Sequence, residues 1–286
     1  MIERSGLTLD DFNEPGRCQE KFTAAVCKPS WTNQTIASHL LRFCAFGNWL
    51  AHQHYTHARH RPLKKLKRRP QQKEFPSDGE ISGLLRILRD KYERAGRTPN
   101  RQRAYGKNYL ITALLVETGA RIGEISRLEL QDIIERRAGK ETHHAIFLRG
   151  TKSDAAERAV MIPKILYDEL HRYCERWQLR GRVFLSRTGK ELPERTYGHW
   201  LTHFCEELEL SCHVSPHTFR YRFIVKLIAQ GKSALEVMSR VGHTDVQMTV
   251  YYFNQVRRLM PWVEVNGDIA LLQSRKRFWQ GRRREE

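Results

Sequence analysis

Residues 217–223 read HTFRYRF and residues 241–253 read VGHTDVQMTVYYF, and the interpretation of the whole chain turns on these two strings. Apolar positions recur at helical spacing through and around them, so helices are expected over 217–230, 235–241 and 246–253, with Gly242-His243 at the end of the middle one. Toward the N-terminus, residues 118–133 read TGARIGEISRLELQDI. A helix over 105–118 is expected to stop at Gly119, and another to open near Arg121 with Ile122, Ile125, Leu128 and Leu130 apolar. Residues 149–163 read RGTKSDAAERAVMIP; the short apolar runs 145–148 and 159–163 flank a polar stretch, the pattern of an antiparallel hairpin. Further helices are expected over 164–177 and 196–208. Before them, Ser77 and Glu80 form a capping box ahead of a helix carrying Leu84, Leu85, Ile87 and Leu88. The fold class is mainly α (α+β), with a small antiparallel β-hairpin or sheet inside a mostly helical domain, and no internal repeat is present.

Residues 1–31 are weakly patterned, punctuated by Pro15-Gly16 and Pro29. From Thr32 or Asn33 a helix is expected, with Ile36, Leu40, Leu41, Phe43, Cys44, Phe46, Trp49 and Leu50 at helical spacing. Residues 59–73 then read RHRPLKKLKRRPQQK, eight Lys and Arg with no acid, and Pro62 and Pro70 prevent a helix from continuing through them. This is an extended basic linker. The expected organisation is a helical N-terminal domain over 1–70 with the linker at about 59–75, a domain over 76–260, and a basic tail over 261–286.

The chain has 286 residues, and 50 Lys and Arg against 32 Asp and Glu leave a formal charge of +18. Such an excess calls for a polyanionic partner, nucleic acid before an anionic membrane surface. A hydrophobic content of 40% excludes a disordered basic tail of the histone or protamine kind. The longest largely apolar run, Leu110 to Val116, is far below the ~20 residues that span a bilayer, so no membrane association is expected. The N-terminus Met-Ile-Glu-Arg-Ser-Gly lacks the apolar core of a secretion signal, and six cysteines form no C-x-x-C pair, which reads as a cytoplasmic protein with reduced thiols. His52, His54, His57 and His60 have no cysteines or carboxylates at ligand spacing, so they read as a basic, phosphate-adjacent surface and not as a metal site. There is no Walker motif, no G-x-G-x-x-G and no acidic pair for two-metal chemistry, and no cofactor is expected.

Taken singly, Arg121, Lys152, His217, Arg220 and Gly242-His243 are ordinary surface or cap positions. Together and in order, the four strings resemble the catalytic domain of the tyrosine recombinases, the family of phage integrases and Xer-type resolvases, over about residues 75–255. The most specific pieces are H-x-x-R at 217–220 and a G-H whose histidine, His243, precedes a tyrosine by nine.

The resemblance implies a site of Arg121, Lys152, His217, Arg220, His243 and Tyr252, with Glu124 supporting Arg121 from behind. Elementary chemistry agrees with those types. Metal-free cleavage of DNA needs cationic donors around the scissile phosphate, and two guanidinium forks, Arg121 and Arg220, suit its non-bridging oxygens. A tyrosine hydroxyl with a pKa near 10 needs help to lose its proton, and His217 is the candidate base. The resemblance makes Lys152 the acid for the departing 5′ oxygen, His243 a donor to the phosphate, and Tyr252, at plus nine from His243, the nucleophile in place of its neighbour Tyr251. It also implies a 3′-phosphotyrosyl intermediate without ATP, double-stranded DNA with specific core sites as partner, and a homo-oligomer, dimeric on a site and tetrameric in the synapse. The linker residues Arg59, Arg61, Lys64, Lys65, Lys67, Arg68, Arg69 and Lys73 are the expected backbone contacts. The stretch around Trp262 corresponds to the place where family members donate a helix to a neighbouring subunit. The N-terminal part is shorter than the family's usual four-helix core-binding unit. Two other readings share these residues: a type IB topoisomerase-like relaxing enzyme, and a non-catalytic DNA-binding protein on the same scaffold.

Overall fold

The computed structural model describes residues 5–28, 30–31, 33–61, 74–95, 98–150 and 157–259. They divide into two compact units, Met1–Lys73 and Glu74–Glu286.

The first unit packs a 3₁₀ turn (Asp10–Asn13) and two helices, α1 (Pro15–Val26) and α2 (Asn33–His52). Helix α1 lies where the sequence showed only weak patterning. Pro15 suits a first helical turn, where its missing N–H is no loss, but the inward face offers only Cys18, Gln19 and Phe22 to the core. What fixes this helix is aromatic packing: the Phe22 and Phe43 rings stack at 4.2 Å, and Phe12 lies 5.3 Å from Phe43. His60 corrects the expectation of a basic histidine surface. It is 2% exposed; its Nε2 lies 2.8 Å from the Phe12 carbonyl, and its backbone exchanges two hydrogen bonds with the Asn48 side chain. A Cβ at Gly47 would come within 2.6 Å of its ring, so His60 is a core residue. His52, His54 and His57 are exposed.

In the second unit α3 (Asp78–Arg94) starts at the Ser77–Glu80 capping box, both reciprocal bonds of which are made. It packs on α4 (Pro99–Thr118), which begins six residues before the expected start because Pro99 opens it. Leu110, Ile111, Leu114 and Leu115 are fully buried, as in a helix apolar on all sides at the centre of a domain. Helix α5 (Ile122–Ser126) is one short turn, not the longer helix expected through Leu130. A 3₁₀ turn (Leu130–Asp132) leads instead into strand β1 (Ile133–Ala138), which pairs antiparallel with β2 (Glu141–Leu148), from Ile133 opposite Ile146 to Ala138 opposite Glu141. β2 pairs antiparallel with β3 (Arg158–Met161), so the expected hairpin is two strands of a three-stranded sheet. β1 reads IIERRA with one buried residue, Ile133; its identity comes from pairing with β2, not from its own alternation.

Helices α6 (Lys164–Arg176) and α7 (Glu194–Glu207) complete the main core with Leu170, Tyr173, Tyr197 and Leu201. Helices α8 (Pro216–Ala229), α9 (Ala234–Val241) and α10 (Val246–Leu259) form a second cluster around Ile224, Val237, Val241 and Phe253. The six cysteines are free thiols. Among the described residues no helix is long and apolar enough to cross a membrane.

Gly119 ends α4 at φ +61°, and a Cβ there would lie 2.4 Å from Cδ1 of Phe223. Gly119→Ala therefore combines left-handed strain with a clash against α8 and should cost about 1–3 kcal/mol. Urea unfolding followed by circular dichroism should show a lowered midpoint; an unchanged midpoint would mean that the turn relaxes freely.

Candidate active site

The ends of two helices build the site. An α-helix leaves its last carbonyls unpartnered, at the negative end of its dipole. Helix α4 ends at Gly119 and α9 at Gly242, both in the left-handed conformation that turns the chain sharply away. Between these ends lies Arg220 of α8, 4% exposed, donating from Nη1 to the Gly119 carbonyl at 2.7 Å and from Nη2 to the Val241 carbonyl at 2.6 Å. Burial, then the nearby Arg121 charge, pushes its pKa down to about 10, which leaves it cationic at neutral pH.

Arg121 is the N-cap of α5. Its backbone N–H donates to Glu124 Oε2 at 2.8 Å, and its Nη1 to Glu124 Oε1 at 3.1 Å and to the Gly242 carbonyl at 3.4 Å. The Glu124 side chain is fully buried. Burial pushes its carboxyl up, but Arg158, the Arg121 N–H and Arg220 outweigh that and hold it below the usual carboxylate range.

Arg158 was not singled out from the sequence. It opens β3, 8% exposed at the side chain, with Nη1 and Nη2 on the two oxygens of Glu124 at 3.3 and 3.0 Å and Nε on the Arg240 carbonyl at 2.9 Å. At the end of a polar stretch it reads as a loop residue, and only the strand register, Arg158 opposite Leu148, points it inward. Two guanidiniums thus share one carboxylate, and the Arg220 charge acts on it as well.

His243, 5% exposed, follows Gly242, and its Nδ1 lies 2.8 Å from the hydroxyl of Thr249, a second contributor the sequence did not reveal. Its buried Nε2 has no hydrogen-bond partner among the described residues. Burial, then Arg220, Arg121 and Arg158, pushes its pKa down to about 3, so the ring is neutral at physiological pH. The Tyr252 ring lies 5.7 Å from that of His243 at 16°, and 5.6 Å from Tyr221. Burial raises the Tyr252 pKa against the opposing pull of Arg220, so the resting phenol is protonated. Tyr251 points elsewhere and is 45% exposed.

Arg121, Glu124, Arg220, His243 and Tyr252 therefore stand together. His217 is exposed on the first turn of α8, three residues before Arg220, and Arg59 and Arg61 are exposed in the first unit. Lys152, Lys64, Lys65, Lys67, Arg68, Arg69 and Lys73 lie outside the described residues, as does the tail over 261–286. Among the described residues no group of three or more His, Cys, Asp or Glu could hold a metal ion. A separate cavity of about 570 Å³, lined by Arg89, Tyr109, Glu169 and Arg176 among others, contains none of the site residues.

Residues 86–258 match the model of the phage integrase family, and the chain belongs to that family. It is 30% identical over 155 residues to tyrosine recombinase XerD of Mycobacterium tuberculosis, covering 51% of this chain and 47% of the relative. It is 25% identical over 199 residues to XerD of Staphylococcus saprophyticus, covering 65% and 62%, and 27% identical over 154 residues to the TnP I resolvase of Bacillus thuringiensis, covering 52% and 50%. The chain thus spans about half the length of most of these relatives. Among solved structures, XerH recombinase bound to a palindromic difH substrate superposes with a TM-score of 0.64 at 16% identity over 86% of this chain and 70% of that one. XerA recombinase superposes at 0.51 and 17% identity over 98% and 87%. Both share the mainly helical fold with its small antiparallel sheet.

Proposed function

We propose that the protein is a site-specific DNA recombinase that cleaves and rejoins strands through a 3′-phosphotyrosyl link to Tyr252. The observation that carries this reading is the gathering of the Arg121 and Arg220 guanidiniums, the buried His243 ring and the Tyr252 ring around the ends of α4 and α9. A phosphodiester gains negative charge as it is attacked, and fixed cations in a water-poor pocket stabilise that charge more than they stabilise the ground state. Arg121 and Arg220 take the non-bridging oxygens. With Nδ1 accepting from the Thr249 hydroxyl, His243 Nε2 carries the hydrogen and donates it to the phosphate. The Tyr252 oxygen attacks phosphorus while its proton passes to His217; the bond to the 5′ oxygen breaks, and Lys152 protonates that oxygen. In the second half-reaction a 5′ hydroxyl of the partner strand attacks the phosphotyrosine and releases Tyr252. One phosphodiester is exchanged for another, so no ATP is consumed.

Similarity to tyrosine recombinases and a resolvase, and to the Tn1549 transposon integrase in complex with DNA, supports the same assignment. On this reading residues 1–70 are a core-binding domain, 76–260 the catalytic domain, and 261–286 a segment that contacts a neighbouring subunit. The protein works in the cytoplasm on double-stranded core sites, two subunits to a site and four in the synapse.

The test is incubation with a pool of nicked duplexes of randomised sequence in EDTA. Detergent-resistant adducts enriched for one sequence are expected. No adduct, or a strict need for Mg²⁺, would contradict the reading, and relaxation of any supercoiled plasmid would favour a topoisomerase.

The basic linker carries its own expectation. Replacing Lys64, Lys65, Lys67, Arg68 and Arg69 with Ala should weaken binding to all sequences and flatten the log Kd against log salt plot by up to ~0.9 per lost phosphate contact. An unchanged slope would place these side chains in solvent.

A further inference from the structure

We propose that Arg158 is a positioning residue for strand cleavage: its guanidinium clamps strand β3 to Glu124 and to the last turn of α9, and so sets where the hairpin delivers Lys152. The proposal rests on the reading of Lys152 as the acid for the 5′ oxygen.

All three guanidinium nitrogens of Arg158 are engaged by the protein itself, two on the Glu124 carboxylate and one on the Arg240 carbonyl. These three hydrogen bonds join three pieces of chain: the strand, the helix that carries Arg121, and the turn that presents Gly242 and His243. Glu124 accepts from Arg121 as well, so one buried carboxylate ties the hairpin to the phosphate-binding arginine.

Arg158 stands where a clamp matters most. Among the described residues the β2–β3 ladder has four facing pairs, and Leu148 opposite Arg158 is the last of them before the connection that contains Lys152. On the β2 side that end is secured by Leu148, fully buried, and by Arg149, which pairs with Asp132 at 2.7 Å and with Glu129 at 3.2 Å. On the β3 side Arg158 supplies the corresponding hold. A strand advances ~3.3 Å per residue, whereas proton transfer needs donor and acceptor within about 3.2 Å, so a slip of one residue would move this end of the ladder by as much as that reach.

Lysine cannot replace this contact. One ammonium on a flexible stem cannot grip both carboxylate oxygens as a fork and also reach the Arg240 carbonyl. Arg158→Lys keeps the charge beside Glu124, and therefore the fold, while loosening the clamp; Arg158→Ala risks stranding a buried carboxylate.

The experiment measures single-turnover cleavage of ordinary DNA and of DNA with a 5′-bridging phosphorothiolate, whose sulfur leaves without a proton. It compares the full-length wild type, Arg158→Lys, Arg158→Gln and Lys152→Ala. Lys152→Ala should lose ~10²–10⁴-fold on the oxygen substrate and recover on sulfur, the size of a general-acid effect. Arg158→Lys and Arg158→Gln should lose at least ~tenfold on oxygen and less than ~threefold on sulfur, because they act through the same acid. Equal losses on both substrates would overturn the proposal, since they would mean that Arg158 serves the phosphate or the fold generally. So would full activity on oxygen. Rescue of Lys152→Ala without rescue of the Arg158 variants overturns the proposal alone; no rescue of Lys152→Ala removes the underlying reading and this proposal with it.

Discussion

Arg220→Ala should lower the rate of strand cleavage by roughly 10²–10³-fold or more while leaving DNA binding within about tenfold of wild type. In binding, this side chain is one cation among many, in a chain with a formal charge of +18. In the chemical step it is a guanidinium held by two short bonds to the Gly119 and Val241 carbonyls, in a site buried enough to lower its own pKa. Its position is therefore fixed before DNA arrives, and little reorganisation is needed as charge develops on the phosphate. Two helix ends also lose a donor, so the variant's melting curve should be recorded beside its rate. Arg220→Lys provides the control, since it keeps the charge but cannot bridge both carbonyls. Single-turnover cleavage and a gel-shift titration measure the two quantities; cleavage within tenfold of wild type would mean that the phosphate sits elsewhere.

Tyr252→Phe should bind its site as tightly as wild type and form no covalent adduct. Removing one oxygen leaves the ring contacts with His243, Tyr221 and Tyr251 in place, so stability should change little. Tyr251→Phe should still form the adduct. Neighbours on a helix point about 100° apart, and on α10 it is the Tyr252 ring that lies against His243 while Tyr251 faces outward. The same helix supplies Thr249, three residues earlier, to hold His243. Denaturing gels of the two variants on a nicked duplex report the result, and an adduct from Tyr252→Phe would remove this residue from the reaction.

The helices that carry the site were legible because they repeat the helical period and end on clear stop signals. α6 through α9 lie within two residues of the expected spans, α10 starts where expected and runs six residues further, and Ser77 and Glu80 make the box that their spacing implied. The misses share a cause: structure there is imposed by partners remote in sequence. β1 is a polar segment made a strand by pairing with β2, and α5 stops early because the chain must turn into that strand. α1 is held by Phe12 and Phe43 more than by its own pattern, and His60 is buried because Gly47 leaves room for its ring.

Within the site, the sequence offered residue types and spacing but not what holds them. Neither the carbonyls that seat Arg220 nor the carboxylate shared by Arg121 and Arg158 has a local signature, since each bond spans at least thirty residues except that of Arg121 with Glu124 or the turn at Val241. Arg158 in particular looked like one more cation in a basic chain.

If the Arg121, Arg220 and His243 cluster makes Tyr252 the nucleophile toward DNA, the cleaved strand ends on that residue and no other. The most direct test traps the protein on a nicked duplex in EDTA, digests the adduct and locates the nucleotide by mass spectrometry. A 3′-linked nucleotide on the oxygen of Tyr252 is expected; a nucleotide on Tyr251, or no covalent adduct under these conditions, would rule Tyr252 out as the nucleophile.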